Sequence, residues 1–489
     1  MKGNRKKCLC ICAVVCTGLV VYVIGTKKTP PKTIVSKSSQ TKKDLTMNNP
    51  IPKEVSLDED ASGIFFGKKP SKQSGYVGKP ANADGHILVV GGPGSGKTSA
   101  IAEPTARTWK GSTVSLLIKG NHRERICSLQ KEGRRVIVFD PAASSENKVR
   151  YNVFALLDHY PEARIDNACA IAEALLPLPE DARDPVWIQA GQAFLTGAIL
   201  YYHSLGCSFA ETVRAISTHS ILDIVQAIMK SGSQEVIGFA SRLSSADLKL
   251  LKNTEFELVS LSRFLSPQIM AAFTETAGSI MLDWDELNCA TEPMDILLII
   301  PEAKLDQWRP MLTLMMEQLI LSLMSRPERA YGDGETLPAL LVSIDEFNRV
   351  GKLTAILSGL MTLRSRGVTF LLLVQSLASL DLAYGEAASR VIQENCAYKL
   401  VLRVSEPKGQ QYFSDLIGMT TTLDVSTSCG ISVGGSIPAG INAGKSRSTT
   451  YTRSRRPCVF PEALSHLDDV LCITPYGTCH AAKTPYYAI

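Results

Sequence analysis

An α/β fold, with a mostly parallel sheet flanked by helices and interrupted by an all-α insertion, is what this sequence predicts. Three observations carry that expectation. Short apolar runs alternate with helical spacing on both sides of the middle of the chain, the pattern of strands buried on both faces. One of those runs passes through a glycine-rich turn straight into a helical stretch. From about 155 to 280 the strand signals stop and the apolar spacing turns helical, as in the run ACAIAEALL at 168–176 and again over 187–202. An ordinary connection between strands is far shorter than that.

The amino-terminal end comes first. Residues 8–25 carry no charge and reach the short end of the length that spans a hydrocarbon core. Lys2, Arg5, Lys6 and Lys7 precede them, and Lys27, Lys28, Lys32, Lys37, Lys42 and Lys43 follow. A cleaved signal peptide is the alternative, but no A-x-A site follows. The expectation is a transmembrane anchor at 1–26 with the body on the cytoplasmic side, where basic flanks collect. Residues 27–60, rich in Lys, Ser, Thr and Pro, read as a flexible linker. The 13 cysteines form no C-x-x-C and do not gather with histidines, so neither a zinc site nor a disulfide framework is indicated. A net charge of +5 over 489 residues gives no argument for a polyanion partner.

Residues 61–154 read as the first part of a nucleotide-binding domain. The run 87–90 is a short apolar strand. Gly91, Gly92, Pro93, Gly94, Ser95, Gly96, Lys97 and Thr98 then complete G-x-x-x-x-G-K-T, and Ser99 opens a helical stretch to 108. Glycines let backbone N–H groups curl round phosphates, and the helix amino terminus adds partial positive charge. Lys97 is expected on the β- and γ-phosphates, with the Thr98 hydroxyl on magnesium. The cofactors implied are therefore ATP and Mg2+. Further strands are expected at 114–118 and 136–139, and the all-α insertion at 155–285.

Residues 286–489 read as the second part of the same domain, with strands at 296–300 and 397–402. The run 340–344 ends in Asp345 and Glu346. Asp345 suits the magnesium-supporting acid of a phosphate-loop site, and Glu346 the general base that polarises water. The next strand, 369–374, ends at Gln375, placed to sense the γ-phosphate at a strand's carboxyl end. Between them, a helix over 353–363 leads to Arg364, Ser365, Arg366 and Gly367. In ring ATPases an arginine of one subunit completes the neighbour's site. Arg364 and Arg366 are both candidates, a solvated basic loop being the alternative. Residues 425–450, rich in Ser, Gly and Thr, read as a long flexible loop. It runs into Lys445, Arg447, Arg453, Arg455 and Arg456 with Tyr451 between. That mixture suits single-stranded nucleic acid as well as it suits plain solvation. A closing hairpin is expected over 470–487 around Pro475, Tyr476 and Gly477.

Taken together the motifs resemble those of the type IV secretion coupling proteins, the VirD4/TraG family of conjugation ATPases. The resemblance rests on GGPGSGKT at 91–98, IDEF at 344–347, Gly351, RSRG at 364–367 and VQS at 374–376. Tyr384-Gly385, Asn395-Cys396, QYFSDLIG at 411–418, Arg456-Pro457, FPE at 460–462, VFDP at 138–141 and Tyr151-Asn152 continue it in order. It covers about 60–489. The resemblance implies a RecA-like, homo-hexameric ATPase of the bacterial inner membrane, here single-pass. Its partners would be single- or double-stranded DNA, a relaxase or an exported protein, the secretion-channel components and the membrane. It also implies that Lys97 and Thr98 bind nucleotide, Asp345 and Glu346 serve magnesium and hydrolysis, Gln375 senses phosphate and Arg364 acts in trans. Members usually carry two amino-terminal spans where this chain offers one. The acids that flank Lys-Gly after the second strand in the family are missing around Lys119 and Gly120. The alternatives are another hexameric DNA translocase, or a receptor for which nucleotide is only a switch.

Overall fold

The computed structural model describes residues 50–70, 73–118, 123–143, 148–179, 184–246, 248–328, 337–434 and 442–488. The expected anchor, and the expected linker up to residue 49, lie outside them. Among the described residues no helix is long and apolar enough to cross a membrane.

Three short strands come first: β1 (Ser56–Leu57), β2 (Gly63–Lys68) and β3 (Tyr76–Pro80). They pair antiparallel in the order β1-β3-β2. Residues 53–57 thus correct the linker reading: a 3-10 turn over Lys53–Val55 leads into β1, and Val55 is fully buried. The Pro and Lys around it masked an apolar spacing, Ile51 and Val55, that packs.

The central sheet begins with β4 (Ile87–Val90), β5 (Ser112–Leu117) and β6 (Arg135–Phe139). β7 (Val149–Tyr151) and β8 (Ile280–Leu282) lie side by side and parallel, flanking the helical segment like a neck. Then come β9 (Met294–Ile299), β10 (Leu340–Ile344), β11 (Val368–Val374) and β12 (Tyr398–Val401). β13 (Met419–Gly434) and β14 (Asn442–Pro457) form a separate ribbon, and β15 (Val470–Thr474) and β16 (Gly477–Ala481) a terminal hairpin. The nine-stranded sheet runs β16-β15-β12-β4-β11-β10-β5-β9-β6. From β12 to β6 every pairing is parallel, and β15 joins β12 antiparallel. The strands foreseen in the sequence are present with ends moved by a residue or two.

Both faces of this sheet are covered, which is why its strands read as unbroken apolar runs. Ile87, Val89, Leu371 and Leu373 pack with Phe66 and Val77 of the small amino-terminal sheet. Leu88, Val90, Leu372 and Val374 share the other core with the helices. The spine of that second layer is the helix Leu305–Met324, most of whose side chains are buried. Between β7 and β8 the described residues form helices, the longest being Pro185–Ser204. The helix Phe209–Thr218 starts on a capping box: the Ser208 and Glu211 side chains each accept the other's backbone N–H.

The expected flexible loop at 425–450 is corrected over 425–434 and 442–450, the rest lying outside the described residues. β13 and β14 pair in register from Met419 opposite Pro457 to Gly434 opposite Asn442. Ser and Gly gave the segment a loop-like composition. Its Thr and Val residues, which favour a pleated backbone, decide the outcome.

Candidate nucleotide-binding site

The glycine-rich loop leaves β4 at the carboxyl edge of the sheet, between β11 and β12. It is pinned to both neighbours: Gly91 N–H donates to the Val374 carbonyl at 3.2 Å, and Gly92 N–H to the Arg403 carbonyl at 2.8 Å. Ser95 N–H closes back on the Gly92 carbonyl at 3.1 Å. Gly94 and Gly96 take φ of 69° and 94°, a region side chains avoid. At Gly91 a Cβ would come within 2.5 Å of Ser95 Oγ, so the loop could not close so tightly around a larger residue. Pro93 and Gly94 form the exposed tip, while Ser95 and Lys97 are buried and Gly92, Gly96, Thr98 and Ser99 half-buried. Thr98 begins the helical stretch with one wide turn, Thr98–Ala102, continued by Glu103–Thr108. The Lys97 amine donates to the Gly91 carbonyl at 2.6 Å across the loop.

The two acids arrive from β10, two strands away. Asp345 Oδ2 accepts the Thr98 hydroxyl at 2.7 Å, and Oδ1 accepts the Glu346 N–H at 2.9 Å. Burial raises the Asp345 carboxyl above its usual range; the bond from Thr98 opposes that shift and the Glu346 charge adds to it. Glu346 has φ 52° and ψ 45°, and no other non-glycine residue among those described has positive φ. That left-handed turn costs of order 1 kcal/mol or more and starts the short helix Phe347–Val350 directly after the acids. From β11, Gln375 Nε2 donates to Glu346 Oε2 at 2.8 Å. Lys97, Thr98, Asp345, Glu346 and Gln375 therefore meet at the carboxyl ends of β4, β10 and β11, where open parallel sheets hold their ligands.

Arg364 and Arg366 are elsewhere. They precede β11, at the opposite end of the sheet from Gln375. The Arg366 guanidinium is bonded to the Arg326 carbonyl, whereas the Arg364 side chain is exposed. Sequence reasoning missed Lys483. Its amine, from the segment after β16, donates to the Ser95 carbonyl at 3.2 Å. Nothing local to 483 signals this, because the contact spans 388 positions.

The residues present suit a magnesium nucleotide. Ser95 Oγ is buried without a hydrogen-bond partner among the described residues. A buried amine and a hydroxyl already bonded to a carboxylate are the donor set that a triphosphate and a hard divalent cation require. Fold and site define the class: a RecA-like α/β protein of the phosphate-loop type. A family model described as Type IV secretory system Conjugative DNA transfer matches residues 36–488, and the chain belongs to that family. It is 21% identical to protein VirD4 of Agrobacterium fabrum over 426 residues, covering 82% of this chain and 59% of that one. To the VirD4 of Rhizobium radiobacter it is 23% identical over 351 residues, covering 70% and 49%. To the conjugal transfer protein TraG of Escherichia coli it is 22% identical over 453 residues, covering 86% and 69%. The chain thus spans about half the length of the VirD4 relatives. Among solved structures, the unbound bacterial conjugative coupling protein TrwBdeltaN70 superposes with a TM-score of 0.64 at 17% identity, covering 85% of this chain and 89% of that one. The plasmid coupling protein TrwB in complex with ADP and Mg2+ gives 0.62 at 16% identity, covering 86% and 90%. These likenesses are of fold.

Proposed function

We propose that this chain is a membrane-anchored ring ATPase. It couples ATP hydrolysis to the passage of DNA, as a relaxase–single-strand complex, or of an exported protein, into a type IV secretion channel. One observation carries the reading: Lys97, Thr98, Asp345, Glu346 and Gln375 converge on one pocket. TrwB, similar in fold, has been crystallised with an ATP analogue and with ADP and Mg2+, which supports the choice of ligand. The apolar run at 8–25 supports the anchor. The homo-hexamer, the inner-membrane location and the channel partners rest on the family.

Within the pocket, the loop amides and the Lys97 amine bind the triphosphate. Thr98 and Asp345 would hold the magnesium ion, which would supply positive charge to offset the triphosphate's. Glu346 takes a proton from the attacking water, and Gln375 holds the Glu346 carboxylate in place until the γ-phosphate competes for its amide. The left-handed backbone at Glu346 turns one acid toward Thr98 and the next toward Gln375, so neighbouring carboxylates take separate roles.

The test is Glu346→Gln in the full chain, with ATP turnover and ATP binding measured side by side. Turnover is expected to fall by about 10²- to 10⁴-fold while binding stays within a few-fold. Unchanged turnover removes Glu346 as base. A wild-type protein that binds ATP but never hydrolyses it, with DNA or without, supports the switched receptor instead.

A further inference from the structure

The ribbon β13–β14 divides its side chains by face in a way that folding alone does not require. Directly paired residues share a face, and faces alternate along each strand. One face takes Leu423 opposite Arg453, Val425 opposite Tyr451, Thr421 opposite Arg455 and Thr427 opposite Thr449, with Arg447 two residues from Thr449 on the same strand. The other takes Thr420 opposite Arg456, Thr422 opposite Ser454, Asp424 opposite Thr452 and Ser426 opposite Thr450. Charge on the second face is internally balanced. Arg456 Nη2 donates to Asp424 Oδ1 at 2.7 Å, and Ser454 Oγ to Oδ2 at 2.6 Å. On the first face Arg447, Arg453 and Arg455 are exposed, and no carboxylate pairs with them among the described residues. Leu423, Val425 and Tyr451 beside them are 57%, 56% and 64% exposed. A two-stranded ribbon has no core of its own. Among the described residues Leu423, Val425, Tyr451 and the unpaired arginines share one face, with Thr421, Thr427 and Thr449 between them, while the other face carries Thr, Ser and the Arg456–Asp424 pair.

We infer that this face, built on Leu423, Val425, Arg447, Tyr451, Arg453 and Arg455, is a contact surface for single-stranded DNA. The inference rests on the DNA-transfer reading above and adds the surface that touches the polymer. Charge complementarity selects the occupant. A row of unpaired guanidiniums with no acid among them suits a phosphate chain. Arg453 and Arg455 are two residues apart on one strand, about 7 Å, comparable to successive phosphates on an extended strand. Tyr451 offers a flat ring on which a base stacks whatever its sequence, and Arg guanidiniums add a second flat surface. Leu423 and Val425 give the sugar–base edge an apolar floor. Contact of this kind tolerates any sequence, as a protein that moves DNA along needs.

The experiment uses the full-length chain in detergent and a labelled oligothymidylate, followed by fluorescence anisotropy across a salt series. The double variant Arg453→Gln/Arg455→Gln is expected to bind at least about tenfold more weakly. Its log–log salt slope should shrink by about 1.4, the value for two lost phosphate contacts on a single strand. Tyr451→Ala is expected to weaken binding about five- to hundredfold with the slope unchanged. Thr450→Ala and Thr452→Ala, on the other face, serve as controls and should bind like wild type. ATP binding should be the same in all of them. If wild type binds the oligonucleotide and the face variants match it in affinity and slope, the inference falls while the DNA-transfer reading stands. If wild type binds no oligonucleotide, both fall. If the face variants keep DNA affinity but sediment as smaller assemblies, or lose only an exported protein, the surface belongs to that contact and the inference is overturned.

Discussion

At the scale of single residues, His86 shows how the phosphate loop is held from behind. It directly precedes β4 and is fully buried. Its Nδ1 accepts the Phe370 N–H at 3.1 Å and its Nε2 donates to the Leu360 carbonyl at 3.0 Å, an arrangement that needs the neutral ring. Burial, with Lys79 and Arg364 adding to it and the Leu360 bond opposing, lowers its pKa to about 4. The sign follows from linkage. In the unfolded chain the ring takes up a proton near pH 6.5, and in the folded chain only near 4. Its contribution to stability is complete above about 6.5 and is lost as pH falls toward 4. The loss is up to about 3 kcal/mol. Urea midpoints of wild type and His86→Gln should therefore differ in pH slope between 7 and 4.5, the variant being flatter. Parallel slopes would show that His86 does not govern the acid response.

Elements meet through a few polar clamps, and one of them steadies the catalytic side. Glu317, buried on the helix Leu305–Met324, accepts the backbone N–H of Thr354 and Ala355 at the start of the helix Ala355–Thr362. Burial raises its pKa, and those bonds oppose the shift. Glu317→Ala leaves these two half-buried amides without their carboxylate and should cost about 1–3 kcal/mol, read as a fall in the urea midpoint. A change under about 0.5 kcal/mol would show that solvent replaces the carboxylate. The sequence made the central strands legible because burial on both faces leaves little but Val, Leu and Ile in them, and the phosphate loop legible because its backbone demands glycine. The acid pair was legible for the same reason, standing at the end of such a strand. The ribbon was not, since Ser and Thr serve loops and exposed strands equally well. The small amino-terminal sheet was hidden by its Pro, Gly and Lys, and Lys483 reaches the loop only through the tertiary fold.

Over the whole molecule, the distance between Arg364 and its own pocket is decisive. The seven residues of β11 separate Arg364 from Gln375, and at about 3.3 Å per residue that is over 20 Å. Arg364 cannot reach its own nucleotide, and it is exposed, so the trans role proposed for it needs a neighbouring subunit. Lys97→Ala and Arg364→Ala should each lose most ATP turnover alone, by about 10³-fold for the arginine. Mixed together, the two proteins should regain turnover, because an intact pocket then faces an intact arginine. A mixture no more active than its parts would reject catalysis in trans.

The order of strands also bears on how the protein is made. β4 lies between β11 and β12, and its first partner leaves the ribosome roughly 280 residues after it, about 15–55 s at ordinary elongation rates. For that interval Ile87–Val90 is an unpaired apolar ribbon edge, open to any other nascent chain. Messages truncated before position 368 should therefore yield aggregates rather than a smaller folded product, read by the soluble fraction after expression.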